Sequence, residues 1–332
     1  MVCLVVGDAN ADLLASLEFF PTEGDDAPMT ALGFSSGGTA ANVAVAHARL
    51  GGSARLLTRV GRDPAAEVAV RAARRAGVDL SFLQCDPQLA TGLCFAAISP
   101  NGERTFFSHR GANVELEMPP PDAVFHDVHW LHVSGHALLE GKQRQTTHKL
   151  LEEAAMRRIS TSIDLCLPLL RKHPHDAILL AGQGMVVFAN DRELGLLGTA
   201  LGLAENTTAA SESAISALLR AGARLVVAKR GASGSRIAQG SSRIDVSPFP
   251  VTAIDTTGAG DGFVAAFLHV LQRGGRPEIA ARIANIAGAL IASRRGAAEA
   301  APTPIEVITA LEACGDTETL DVFRQLAQET HS

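Results

Sequence analysis

Asp261 closes the stretch Asp255-Thr256-Thr257-Gly258-Ala259-Gly260-Asp261, where glycines alternate with small residues and a carboxylate follows them. Residues 262–272 then carry Phe263, Val264, Phe267, Leu268 and Leu271 on one face of an amphipathic helix. A loop so bare of side chains presents backbone N–H groups where a helix begins, and a helix N-terminus carries roughly half a positive charge. The chemistry on offer is an anion site with an acid beside it. Asp is also a preferred N-cap residue, and capping accounts for Asp261 taken alone at least as well as catalysis does.

Two further stretches supply groups that bind hydroxyls. Gly7-Asp8-Ala9-Asn10-Ala11-Asp12 follows a wholly apolar run at 2–6. Polar groups at the carboxyl end of such a strand face the crevice where open α/β sheets hold ligands, so Asn10 and Asp12 are candidates, with turn chemistry the plainer account. Ser35-Ser36-Gly37-Gly38-Thr39-Ala40-Ala41-Asn42-Val43-Ala44 opens a helix, and its paired glycines allow close backbone approach while Asn42 offers an amide. Cradle, carboxylate and hydroxyl-binding amides together are what phosphoryl transfer to a hydroxyl requires: charge stabilisation, a base and acceptor positioning. Neither G-x-x-x-x-G-K-[ST] nor a G-x-G-x-x-G turn after the first strand is present, so both common nucleotide-binding signatures lack support.

The elements that must position these groups read as α/β. Short apolar strands at 2–6, 55–60, 128–133, 160–164, 185–188 and 224–228 alternate with helical segments. Those lie at 39–50, ending at Gly51-Gly52, from the Asp63-Pro64 cap to Gly77, and at 142–157, 211–221 and 277–293. This is a parallel sheet with helices on both faces. Strands at 13–20, 29–36, 93–98 and 104–108 fall outside the rhythm, the last two joined by Pro100-Asn101-Gly102-Glu103, a hairpin signal. They predict a small β lid from about 12–36 and 91–110 on a single unit spanning 1–332, or else an extension of the main sheet.

With 332 residues, 47% of them apolar, the chain can bury a substantial core, and its net charge of −6 gives no field for nucleic acid or anionic lipid. Five cysteines without close pairs suggest neither a disulfide framework nor a zinc site, and the short apolar start is no signal peptide or membrane span. A cytoplasmic location is the expectation. His129 and His132 fall on opposite faces of a strand and cannot easily share a metal.

Gly37-Gly38-Thr39-Ala40-Ala41-Asn42-Val43-Ala44 and Asp255-Thr256-Thr257-Gly258-Ala259-Gly260-Asp261-Gly262 resemble the two signatures of the ribokinase-like (PfkB) carbohydrate kinases, and Asn190-Asp191-Arg192-Glu193 resembles the family's N-x-x-E element. The likeness spans Val2 to about Ala301. It implies the three-layer ribokinase-like α/β fold with a β lid. Asp261 would be the general base, with Gly258, Ala259 and Gly260 as the anion hole. Asn10, Asp12, Gly38, Thr39 and Asn42 would line the sugar side. Asn190 and Glu193 would act through Mg2+ and its waters; Lys229, Gly231 and Gly234 match the family's nucleotide-side turn, and Asn285 falls near the adenine. Asp255 and Thr257 correspond to a monovalent-cation (K+) site. True ribokinases usually carry a lysine where this chain has Thr39, and Gly135 stands near the place of an acidic sugar ligand, which argues against strict ribose specificity. The resemblance implies an ATP-dependent sugar kinase acting on a primary hydroxyl of a ribose-like or fructose-like substrate. A nucleoside kinase of the same fold and a catalytically silent sugar or nucleotide sensor are the alternatives. The lid strands could supply a homodimer interface in a family where that is frequent, and the sequence leaves the oligomeric state open.

Overall fold

The computed structural model describes residues 1–203 and 207–328. Its strands, in chain order, are β1 (Val2–Val6), β2 (Asn10–Leu17), β3 (Met29–Gly37), β4 (Ser53–Leu57), β5 (Arg59–Gly61), β6 (Gln84–Asp86), β7 (Gly92–Ile98), β8 (Arg104–His109), β9 (Val128–Ser134), β10 (Ser160–Asp164), β11 (Val186–Asn190), β12 (Leu225–Lys229), β13 (Ser235–Gln239) and β14 (Ser242–Val246). The main sheet runs β14-β13-β12-β11-β10-β9-β1-β4. From β12 to β4 the pairs are parallel; β13 and β14 add an antiparallel edge. That edge is absent from the sequence reading, because Ser235, Arg236, Ser242 and Arg243 break the continuous apolar run that marked the buried parallel strands.

Side-chain alternation divides the core in two. Cys3 and Val5 of β1 join Val186 and Phe188 of β11 and Val227 of β12 beneath the helices Thr39–Arg49, Ala259–Leu271 and Pro277–Ala292. Leu4 and Val6 turn the other way, to Val187, Val226 and the helices Gly141–Met156, Asp191–Ala200 and Thr207–Ala221. The period of two along a strand buried on both faces thus builds a three-layer sandwich. Trp130 of β9 lies in the first of these layers, its indole Nε1 donating to Ser162 Oγ at 2.8 Å and Arg224 stacked over its ring.

A separate four-stranded sheet has the order β3-β2-β7-β8, antiparallel at β2/β3 and β7/β8 and parallel at β2/β7. The excursion strands therefore do not extend the main sheet. The single strand expected at 55–60 is two: β4 joins the main sheet, Thr58 intervenes, and β5 pairs with β6 in a sheet of its own. Asp63 caps Pro64–Arg75 as expected, accepting from Ala66 N at 3.1 Å. Among the described residues no helix is long and apolar enough to cross a membrane.

Candidate active site

The chemistry-bearing residues gather at the carboxyl ends of the main-sheet strands. β1 runs into Asp8, β10 ends in Asp164, β11 in Asn190 and β12 in Lys229. Two helices aim their first turns at this edge, Thr39–Arg49 and Ala259–Leu271.

The helix after the glycine-rich loop starts earlier than its apolar stripe suggests. Ala259 is its first residue and Gly258 its N-cap, held at φ 75°, so Asp261 lies inside the first turn and caps nothing. A Cβ at Gly258 would lie 2.9 Å from the Cβ of Ala297, so this left-handed corner is closed to larger residues both by its backbone angle and by its neighbour. Freed from capping, the Asp261 carboxylate accepts a 2.7 Å hydrogen bond on Oδ2 from Asn42 Nδ2, across 219 residues of chain. Burial raises its pKa to about 7; the Asn42 bond and the Lys229 ammonium pull it down, while Asp164 and Asp12 push it up. The two signature stretches are joined at one acid whose proton balance lies near neutrality.

Asn42 can reach because Gly38 brings its helix close. Gly38 caps that helix at φ 92°, and a Cβ there would sit 2.3 Å from the Asp8 carbonyl oxygen. Thr39 Oγ1 lies 2.5 Å from Ser134 Oγ at the end of β9. Asn10 and Asp12 open β2, paired with Gly37 and Ser35 of β3. Burial, and then Glu299, raises the Asp12 pKa to about 7, and its Oδ1 is buried without a partner among the described residues. Asn10 Oδ1 accepts from Asn113 Nδ2 at 2.9 Å. Asn113 Oδ1 in turn takes the Ala9 N–H at 3.1 Å and its Nδ2 binds the Arg110 carbonyl at 2.9 Å, so this amide is fixed by backbone on both ends.

On the opposite side, Asn190 and Glu193 form a reciprocal capping box: Glu193 N donates to Asn190 Oδ1 at 2.9 Å and Asn190 N to Glu193 Oε2 at 2.8 Å. Burial raises Glu193 to about 7, with Lys229 opposing. Lys229 Nζ grips both oxygens of Asp164, at 2.6 and 2.7 Å. Gly231 and Gly234 shape the turn from β12 to β13. Asn285 donates from Nδ2 to the Ser247 carbonyl at 2.9 Å and pins the exit of β14, so that amide nitrogen is already engaged.

Asp255 and Thr257, matched by resemblance to a cation site, are bound by the chain itself. Arg104 Nη1, from the first residue of β8, lies 2.5 Å from both Asp255 Oδ1 and Thr257 Oγ1, while Thr257 N and Gly296 N donate to the same carboxylate. These donors hold the Asp255 carboxyl below its ordinary range against the effect of burial. A monovalent cation does not fit those two side chains as they stand, because the Arg104 guanidinium already engages both. Among the described residues no three His, Cys, Asp or Glu side chains converge as a metal cluster.

Sequence reasoning missed Asp164, the Asp8–Arg110 pair and the anchoring of Asn113. Asp164 had a signal, since it ends a parallel strand on the ligand edge as Asn190 does. Arg110 makes a two-point bond to Asp8, at 2.9 and 3.1 Å, on a side chain 15% exposed. Only the fold brings those partners together, 102 residues apart.

A buried acid beside a backbone anion cradle, faced by amides and a buried lysine at the ligand edge of a three-layer α/β sandwich, defines a group-transfer enzyme for an anionic donor and a hydroxylated acceptor. Comparison with known proteins agrees. Residues 2–304 match the pfkB family carbohydrate kinase model, and the chain belongs to that family. A fructokinase from Klebsiella pneumoniae is 33% identical over 287 residues, covering 80% of this chain and 88% of the relative. A ribokinase structure from Thermotoga maritima superposes with TM-score 0.81 at 25% identity, over 94% of this chain and 99% of that one. A fructokinase from Xylella fastidiosa, solved with bound ATP, gives 0.81 at 24% identity over 95% and 99%.

Proposed function

We propose that this ATP-dependent carbohydrate kinase transfers the γ-phosphate to a primary hydroxyl of a fructose-like or ribose-like sugar, with Asp261 as the base. The observation that carries the reading is the buried Asn42–Asp261 hydrogen bond, which ties the hydroxyl-binding stretch to the acid at the anion cradle. A base with its pKa near neutrality is half ionised at working pH and strong enough to take a hydroxyl proton as the oxygen attacks. The N–H groups of Gly258, Ala259 and Gly260, at the positive end of the helix, face the charge that develops on the phosphoryl group. Asn10, Asp12, Gly38, Thr39 and Asn42 hold the sugar under the small sheet, which acts as a lid on a single unit. Lys229, Gly231, Gly234 and Asn285 lie on the nucleotide side.

Magnesium, which the family implies, supplies neutralising charge to the nucleotide phosphates. The protein offers it single carboxylates: Glu193 has one oxygen outside its capping box, and Asp164 is committed to Lys229. That arrangement suits an ion that arrives with the nucleotide and meets Glu193 through water.

The decisive assay is ATP consumption with fructose, ribose and nucleosides such as adenosine, with and without EDTA. Sugar-dependent, EDTA-sensitive turnover is expected, and Asp261→Asn should keep the fold while lowering turnover by about 10²–10⁴-fold. Preference for a nucleoside would establish the nucleoside-kinase alternative. Sugar binding without turnover across the panel would mean a silent sensor.

A further inference from the structure

We infer that Lys229 carries the positive charge that meets the transferring phosphoryl group, with Asp164 as the residue that positions it, rather than serving only the turn that holds the nucleotide. The inference deepens the kinase reading and rests on it.

The anion cradle has no charged side chain of its own, since Gly258, Ala259 and Gly260 offer only backbone. The charge comes from across the sheet. Among the described residues, and outside its own helix turn, a Cβ built on Gly260 would have one neighbour within 4 Å, the Nζ of Lys229 at 3.5 Å. The ammonium therefore hangs directly over the glycine at the centre of the cradle. Its side chain is 14% exposed and that of Asp164 is 12% exposed, so water does little to screen either.

The strand order explains the placement. β12 and β10 flank β11, and Lys229 and Asp164 are the last residues of their strands. The lysine leans over the intervening strand to grip both carboxylate oxygens, which points Nζ toward the start of the helix Ala259–Leu271. Burial opposes the ammonium's charge, but Asp164 and Glu193 outweigh it, and Asp261 adds to their effect. Lys229 is thus a fixed cation among Asp164, Glu193 and Asp261 before any donor arrives. A phosphoryl group entering the cradle meets a desolvated ammonium already in place. Its developing charge is stabilised without a side chain having to reorganise during the reaction. The Nζ–H groups donate to phosphoryl oxygens; the proton of the sugar hydroxyl goes to Asp261, and Lys229 stays protonated throughout.

The two roles predict different kinetics. A lysine that only holds the nucleotide raises the KM for ATP when lost and leaves kcat alone, whereas one that meets the transferring group lowers kcat. Lys229→Met should lower kcat by about 10²–10³-fold, the range seen on removing one oxyanion donor, with the KM for ATP changed less than kcat. Lys229→Arg should recover at least tenfold of that loss. Asp164→Asn keeps the ammonium but loosens its seat and should give an intermediate kcat. Lys229→Met leaves Asp164 unpaired in the core, so thermal unfolding is measured in parallel, and Asp164→Asn/Lys229→Met, which removes both charges, supplies a folded enzyme that should remain as slow as the single variant. A folded Lys229→Met or double variant with kcat within threefold of the parent, or one that loses only ATP affinity, overturns the inference. Absence of sugar-dependent turnover in the unaltered protein would instead sink the kinase reading itself.

Discussion

Asp261 illustrates how a residue changes meaning once its neighbours are known. Its helix begins two residues before it, so the capping account lapses, and the carboxylate is left buried with Asn42 as its hydrogen-bond donor. A pKa near 7 has a kinetic consequence with a definite sign. The base works ionised, so kcat should fall as pH drops through about 7, approaching tenfold per unit on the acid side. Asn42 lowers the pKa by donating to the charged form, and Asn42→Ala should therefore move the acid limb of the kcat profile upward. A wild-type profile flat between about pH 6 and 8 would count against Asp261 as the titrating base. Asp164, Lys229 and Asp12 all act on this group, so the limb belongs to the set rather than to one side chain.

Among the elements, the glycine-rich corner is the most demanding. Gly258 combines a left-handed backbone with a Cβ position 2.9 Å from Ala297, whereas Gly240, in the turn between β13 and β14, has φ 53° and no atom within 4 Å of its Cβ position. Both alanine variants incur the cost of a left-handed residue, about 1–2 kcal/mol. Gly258→Ala should add displacement of the cradle N–H groups and lower kcat at least tenfold, while Gly240→Ala should lower the unfolding temperature by a few degrees and leave kcat unchanged. Equal kcat in the two would show that the corner does not hold the phosphoryl group. How much of this was legible in sequence depended on whether the signal was local. The parallel strands, the Asp63 cap and the Pro100–Glu103 hairpin follow from runs, caps and turn residues within a few positions. The Arg104–Asp255 bond, the Asp8–Arg110 pair and the Lys229–Asp164 seat join residues 65 to 151 positions apart, and only the sheet order makes them neighbours. Polar edge strands β13 and β14 escaped for the opposite reason: their pattern is local but resembles a loop.

At the scale of the molecule, the small sheet has an unfinished face. In its cross-strand rows Phe34, Leu13, Phe95 and Phe107 align, with Leu32 one row along on the same side. Leu32, Phe34 and Phe107 are each more than half exposed. Since β3 and β8 are both edge strands, we propose that a second copy covers this face in a homodimer. Light scattering should give twice the chain mass, and Phe34→Asp or Phe107→Asp should reduce it to one; a monomeric parent at micromolar concentration refutes the arrangement. Trp130 is placed to report on the main sheet alone. It is the sole tryptophan in a chain without tyrosine, and it is buried in β9 four residues before Ser134, about 13 Å along the strand from the ligand edge. Intrinsic fluorescence is therefore a single-site reporter for melting of the main sheet, while the small sheet, which holds neither tryptophan nor tyrosine, is optically dark. A tryptophan placed at Phe106, exposed on β8, would give the small sheet an optical signal of its own.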